Sequence, residues 1–322
     1  MRILSIRYIC FLIFVIYFTT SFGKKPSFLG KKATLINTIE TKNCFISYVM
    51  INNQRYLVKQ KKADNKQIAV VRDALAAFLV RGLKIAHQVD IISFKKSFPG
   101  KIREIWPATF HTIAPGDTVR KQPNTVYSKL RIKQLWSLAK NFDETGLTRE
   151  IIAQMTWHRQ LPIIIAIDLI TGNSDRHCGN LCYDPTTDTF CAIDMDDTFN
   201  KNLCQIACRK LEIMLEDPNN VFTIQEINAF IQLRKTIRYI LDHYKSSEVV
   251  KKLYYFARKA GFIPGNSIYT PSIVKKLSLY ESMITQSWAS AYKLINVLNK
   301  IIDQNIRNVL YVNSYLADAE AT

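Results

Sequence analysis

Three polar side chains fall at spacings that phosphoryl transfer can use. Asp175 and Asn180 lie five residues apart, and Asp194 follows fourteen residues after Asn180, at the end of the apolar run Phe190–Ile193. Transfer of a phosphoryl group asks little covalent chemistry of a protein. One carboxylate orients the attacking hydroxyl, an amide and a second carboxylate hold Mg²⁺ on the phosphates, and a lysine offsets phosphate charge. The pattern D-x-x-x-x-N followed by a strand-borne Asp supplies the first three of these groups. Lys59, at the end of a strand-like run, is the candidate for the fourth. Taken singly, Asn-x-Asp and Gly-Asn are ordinary turn chemistry. It is the addition of Arg176-His177, a following strand and Asp194 in register that lifts the set above a polar loop.

Such groups need elements to hold them. Three strand-like runs, Thr34–Glu40, Cys44–Ile51 and Arg55–Gln60, open the chain, with Asn52-Asn53 marking a tight turn. Residues 68–83 carry an apolar stripe at helical spacing, through Val71, Leu75, Phe78, Leu79 and Leu83. Val89 to Pro123 reads as short apolar runs and turns. Helices then dominate: 130–142 and 149–160, then the apolar run Ile163–Ile170 that leads into the Asp175 loop. A short hairpin, Leu181–Tyr183 with Phe190–Ile193, carries the chain to Asp194, and five further helices are expected at 201–215, 224–244, 248–260, 271–289 and 292–316. The expectation is an α+β chain with a small sheet-rich lobe over residues 33–123 and a larger helical lobe over 124–322, with the site where they meet.

The segment Asn173-Ser174-Asp175-Arg176-His177-Cys178-Gly179-Asn180-Leu181 resembles the catalytic loop of the phosphatidylinositol 3-/4-kinase-like family, with its N-x-D-R-x-x-x-N pattern, and Ala192-Ile193-Asp194-Met195 resembles the metal-binding segment that follows it. The likeness is specific over Ile163 to Phe199. It implies a two-lobed protein-kinase-like fold that uses ATP and Mg²⁺. Asp175 and Arg176 would be the catalytic residues of the loop, Asn180 and Asp194 the Mg²⁺ ligands, and Lys59 and Asn180 nucleotide-binding. Asp73, early in the first helix, would pair with Lys59, although Asp64 is also available. The acceptor implied is a hydroxyl of a phosphoinositide lipid or of a protein. Two departures stand out: the turn Glu40-Thr41-Lys42-Asn43 between the first two strands has no glycine to cradle phosphates, and Asp196 stands where the family has a glycine after the metal-binding Asp. An inactive kinase-like binding module is therefore an alternative.

A rival reading starts from Asp194-Met195-Asp196-Asp197-Thr198, which matches the D-x-D-x-T motif of haloacid-dehalogenase-type phosphatases. Asp194 would then be a nucleophile and Asp196 a general acid/base. That chemistry needs a parallel sheet continuing past the motif, and the sequence after Asp197 shows helical periodicity instead.

At 322 residues and 48% hydrophobic content the chain can bury a substantial core and is neither disordered nor fibrous. Its net charge of +18 favours anionic partners such as nucleotide phosphates or an anionic membrane surface. No arginine-rich arm or aromatic-interleaved basic stripe accompanies that charge, so nucleic acid is not expected. Arg2 and Arg7, the apolar run Tyr8–Phe18 and the small residues Ser21 and Gly23 have the parts of a secretory signal or membrane anchor over residues 1–23, followed by a basic linker over 24–32. Beyond Cys10 six cysteines remain, an even number that permits disulfides in an exported chain.

Overall fold

The structure is a computed structural model that describes residues 34–41, 44–61, 68–83, 89–96, 104–119, 147–266 and 269–320. Strands β1 (Thr34–Glu40), β2 (Cys44–Ile51) and β3 (Gln54–Lys61) form a meander close to the expected runs. Asn52 and Asn53 have φ of 49° and 62°. Two consecutive left-handed residues are what a two-residue hairpin of matching twist requires, and asparagine tolerates that conformation better than most residues. The turn sets Ile51 opposite Gln54 and, further along, Ile46 opposite Lys59.

Strands β4 (Val89–Lys96) and β5 (Glu104–Thr112) complete a five-stranded antiparallel sheet of order β1-β2-β3-β5-β4. These two strands correct the reading of Val89–Pro123 as short runs and turns. Pro107 stands inside β5, where its missing N–H weakens any strand signal, and the ladder nevertheless carries it opposite Ser93. Helix α1 (Ala69–Val80) is buried along most of its length. Its small residues, Ala69, Ala74, Ala76 and Ala77, allow close packing on both sides: on the sheet, and on a helix of the second lobe.

A second, small antiparallel sheet is formed by β6 (Asp117–Thr118), β7 (Leu181–Asp184) and β8 (Thr189–Ala192). Around it lie α2 (Arg149–Met155), α3 (Leu161–Thr171), α4 (Leu203–Glu216), α5 (Ile224–His243), α6 (Ser246–Lys259) and α7 (Pro271–Glu320). Helix α3 is buried on every side, as its all-round apolar sequence requires, with α5, α4 and α7 packed about it. The α+β, two-lobed arrangement expected from the sequence is the one observed.

Two further element expectations change. The helix expected over 149–160 ends at Met155, where the Thr156 hydroxyl donates to the Ala153 carbonyl at 2.7 Å and Pro162 opens a new helix. The two helices expected over 271–289 and 292–316 are one. No Gly or Pro lies between Ala289 and Tyr292, and Ser290 faces inward to accept from the Asn202 amide at 2.9 Å. As the helical periodicity after Asp197 implies, no strand occurs among the described residues after Ala192, and the strand leading to Asp194 belongs to an antiparallel hairpin. The parallel sheet that a haloacid-dehalogenase reading needs is therefore missing from the described residues.

The expected helix over 130–142, the leader over 1–23, the linker over 24–32 and the lobe boundary at 123/124 lie outside the described residues, as does Asp64. The cysteines from Cys44 onward are buried free thiols. Cys204 and Cys208 sit one turn apart on α4, where burial raises both thiols above their ordinary range, that of Cys208 to about 12. No helix of the described residues is long and apolar enough to cross a membrane.

Candidate active site

The loop that follows α3 is built from its helix cap outward. Gly172 closes the helix at φ 63°, and the Asn173 N–H returns to the Asp168 carbonyl at 2.9 Å. The Asn173 side chain accepts the Asp175 N–H at 3.2 Å, an Asx turn that aims the next residues. Asn180 then ties the loop shut: its Nδ2 donates to the Asp175 carbonyl at 2.8 Å and to the Asp175 carboxylate at 3.2 Å. With the amide nitrogen committed to Asp175, the Asn180 Oδ1 is the atom left for a cation. His177 serves the loop locally, its Nδ1 accepting the Gly179 N–H at 2.9 Å.

The β7–β8 hairpin connects the two halves of the site. Its ladder pairs Cys182 with Cys191, and the Ile193 N–H extends the pairing by donating to the Asn180 carbonyl at 3.1 Å. Asp188 turns the tip at φ 51°, held by the Tyr183 hydroxyl at 2.9 Å. At the base Asp194 has φ of 54°. A left-handed aspartate costs energy, and such residues cluster where a side chain must be aimed.

Lys59 reaches this point from the small lobe. Its ammonium forms ion pairs with Asp194 and, at 2.7 Å, with Asp196. Lys61, two residues on, also pairs with Asp196. Burial works against the Lys59 charge, but Asp194, Asp196 and Asp73 outweigh it and hold the ammonium well above its ordinary pKa. Burial likewise works against the Asp196 charge, and the two lysines reverse the sign, holding its carboxyl well below the usual range.

Arg72 makes a second bridge between the lobes. From α1 it donates to the Thr198 carbonyl at 3.1 Å and lies 3.7 Å from Asp197, which in turn accepts from the Ser174 hydroxyl at 3.1 Å. The segment after Asp194 is thus held from the α1 side and from the Asp175 loop.

No family model matches the sequence, and no curated protein does. Solved structures of similar chain course include the proinflammatory kinase CtkA of Helicobacter pylori, 13% identical, with 86% of this chain and 98% of that chain covered and a TM-score of 0.47. Another is the spectinomycin phosphotransferase APH(9)-Ia in complex with ADP and spectinomycin, at 14% identity, 80% and 93% coverage and a TM-score of 0.29. A third is a putative aminoglycoside phosphotransferase from Ralstonia eutropha, at 8% identity, 83% and 94% coverage and a TM-score of 0.31. Likeness at this level carries no functional weight. The chemistry rests on the geometry.

Two sequence expectations are corrected by that geometry. Arg176 does not face the cleft as a catalytic group. It is buried in a bidentate pair with Asp168, at 2.9 and 3.0 Å, and its remaining nitrogen donates to the carbonyls of Asn180 and Ile193. It therefore fastens the loop to the hairpin and acts as a positioning residue. Asp73 is not the ion-pair partner of Lys59, whose amine is drawn instead to Asp194 and Asp196. Asp73 is fully buried, its oxygens have no hydrogen-bond partner among the described residues, and His111 Nε2 lies 3.4 Å away. Burial pushes its carboxyl up to about 7 against the pull of Lys59.

The remaining expected residues occupy one region. Lys59 touches Asp194, Asp175 touches Asn180, and the base of the hairpin joins the two pairs. Their carboxylate and amide oxygens are the hard donors that Mg²⁺ prefers. Among the described residues no group of three or more His, Cys, Asp or Glu forms a ready-made metal cage. The sequence reading did not single out Asp168, Arg72 or Lys61 for the site. Lys61 had a legible signal, since residues two apart on a strand share a face. Asp168 and Arg72 had none short of the fold.

Proposed function

We propose that the chain is an ATP- and Mg²⁺-dependent phosphotransferase that moves the γ-phosphate of ATP to an alcohol hydroxyl. The observation that carries this reading is Lys59, which crosses from the small-lobe sheet to Asp194 beside a loop that presents Asp175 and Asn180. In this reading Lys59 leaves the carboxylates for the nucleotide phosphates, and Asn180 Oδ1 and the Asp194 carboxylate hold the metal. Bound Mg²⁺ would neutralise charge on the phosphate oxygens. Asp175 orients the acceptor hydroxyl and takes its proton as the new oxygen–phosphorus bond forms and the bond to ADP breaks.

The acceptor inferred from the loop resemblance is the head group of a phosphoinositide, or a protein hydroxyl. The net charge of +18 supports an anionic lipid surface, where each nearby Lys or Arg contributes roughly 1 kcal/mol. The leader-like residues 1–23 support a place outside the cytoplasm or at a membrane. Incubation with labelled ATP, phosphoinositide vesicles and mixed proteins tests the reading, with label expected in lipid. Label in protein alone removes the lipid acceptor. Label in neither, from a chain whose melting point still rises with Mg²⁺–ATP, removes catalysis and leaves a kinase-like binding module.

A further inference from the structure

The site holds one cation that the proposed chemistry does not use. Lys59 and Lys61 are two residues apart on β3, so both side chains leave the same face of the strand. Their side chains are only 10% and 13% exposed, and both ammonium groups meet on the Asp196 carboxylate. Two sheltered ammonium groups this close repel each other unless an anion lies between them. In the structure that anion is Asp196, standing at the position where the resembled family has a glycine. The β1–β2 turn contains no glycine, so it lacks the residue best able to approach a phosphate through its backbone.

We infer that Lys59 and Lys61 form a two-lysine clamp for the polyphosphate chain of a nucleoside triphosphate, and that Asp196 occupies the clamp as an internal stand-in for a phosphate. The inference rests on the nucleotide reading above. The clamp replaces backbone N–H donors with two ammonium donors on one strand. Together with Asp194 on Lys59, the Asp196 carboxylate balances the two ammonium charges of the empty clamp, and it must yield to the incoming phosphates. The ligand is therefore recognised by its phosphate chain, with adenosine contributing nothing at Lys61.

Calorimetric titration of the full chain separates this inference from the one it rests on. The probes are ATP, adenosine and inorganic tripolyphosphate, each without divalent metal, and circular dichroism confirms that each variant is folded. Lys61→Gln is expected to bind ATP and tripolyphosphate about tenfold more weakly than the parent, with adenosine unchanged, because it loses one charge-assisted hydrogen bond. Lys61→Arg keeps the charge and is expected to retain binding. Asp196→Asn removes the competing carboxylate and is expected to bind tripolyphosphate about tenfold more tightly than the parent. ATP binding by Lys61→Gln equal to that of the parent overturns the clamp and leaves the nucleotide reading standing. Tripolyphosphate binding by the parent without any response to ATP keeps the clamp and overturns the nucleotide reading. A parent that binds neither removes both. Should Lys61→Gln not fold, Asp196→Asn decides: unchanged affinity for tripolyphosphate overturns the stand-in role.

Discussion

Arg176 and Asp168, eight residues apart, face each other as fork and carboxylate, with Nε at 2.9 Å from Oδ2 and Nη2 at 3.0 Å from Oδ1. The pair lies beneath the Asp175 loop, and the third nitrogen of the same guanidinium reaches the carbonyls of Asn180 and Ile193. Removing one partner of a buried pair strands the other, so Arg176→Ala is expected to cost about 3–5 kcal/mol of stability in urea denaturation. Arg176→Lys keeps the charge but loses the planar fork. It is expected to fold, to retain ATP binding and to lose most of kcat, because the loop loosens while Lys59 stays in place. An unchanged kcat in Arg176→Lys would refute the positioning role.

Asp175 and Asp194 should separate in their effects. Asp175→Asn is expected to abolish phosphoryl transfer and leave Mg²⁺–ATP affinity near that of the parent, since in the proposed reaction Asp175 acts on the acceptor. Asp194→Asn is expected to weaken Mg²⁺–ATP binding as well, because it removes one of the two proposed metal ligands. Binding by titration and transfer by label incorporation, measured on both variants, check the assignment. Equal losses of binding in the two variants would contradict it.

Asp73 gives the site a pH dependence of definite sign. Its carboxyl is raised to about 7 by burial, against about 3.9 for an unfolded aspartate. Between those values the folded chain holds a proton that the unfolded chain has lost, so this group's contribution to stability rises as pH falls from about 7 toward about 4. Asp196 has the opposite sign, its carboxyl held below the usual range, and its contribution is lost only below about 4, where the unfolded carboxyl takes up its proton. In melting curves Asp73→Asn is expected to raise the melting point at pH 8 and to flatten the slope between pH 5 and 8. A slope identical to that of the parent would assign the pH dependence elsewhere.

Gly172 is the hinge on which the loop leaves α3. It has φ of 63°, and a Cβ there would sit 2.1 Å from the Lys201 carbonyl oxygen. Gly172→Ala is expected to cost at least about 2 kcal/mol, combining left-handed backbone strain with that clash. Gly172→Asn tolerates the dihedral but carries the same Cβ. A loss similar to that of Ala would show that the Lys201 contact, and not the backbone angle, sets the requirement.

Much of this arrangement was legible in the chain because it is local. The Asn52-Asn53 turn, the first three strands, the Asp175–Asn180 loop and the hairpin to Asp194 each depend on residues within about twenty positions of one another. The illegible parts depend on partners far away. Lys59 meets Asp196 across 137 residues and Arg72 meets Thr198 across 126, whereas the approach of Lys59 to Asp194 is already expected from the loop resemblance. Neither periodicity nor turn chemistry records such a meeting. Arg176 was misread for a related reason: a charged residue in a motif looks the same in sequence whether it faces the cleft or lies against Asp168. Asp73 was chosen as partner of Lys59 by its place on α1, and the sequence could not show that two closer acids compete for the same amine.

The β7–β8 hairpin has a bearing on how kin of this chain would be found. Asn180 and Asp194 stand at its open end, brought there by the ladder from Leu181–Ala192 to Asp184–Thr189, while Pro185, Thr186 and Thr187 are exposed at the far tip. Residues added at an exposed tip leave the register at the base unchanged. The interval of fourteen residues is thus set by one tip's length, whereas the pairing of Asn180 with Ile193 is what brings Asn180 and Asp194 together. Sequences whose tips have drifted longer or shorter would share this arrangement while failing any search for a fixed interval, and a short reporter peptide grafted at the tip should leave Asn180 and Asp194 where they are.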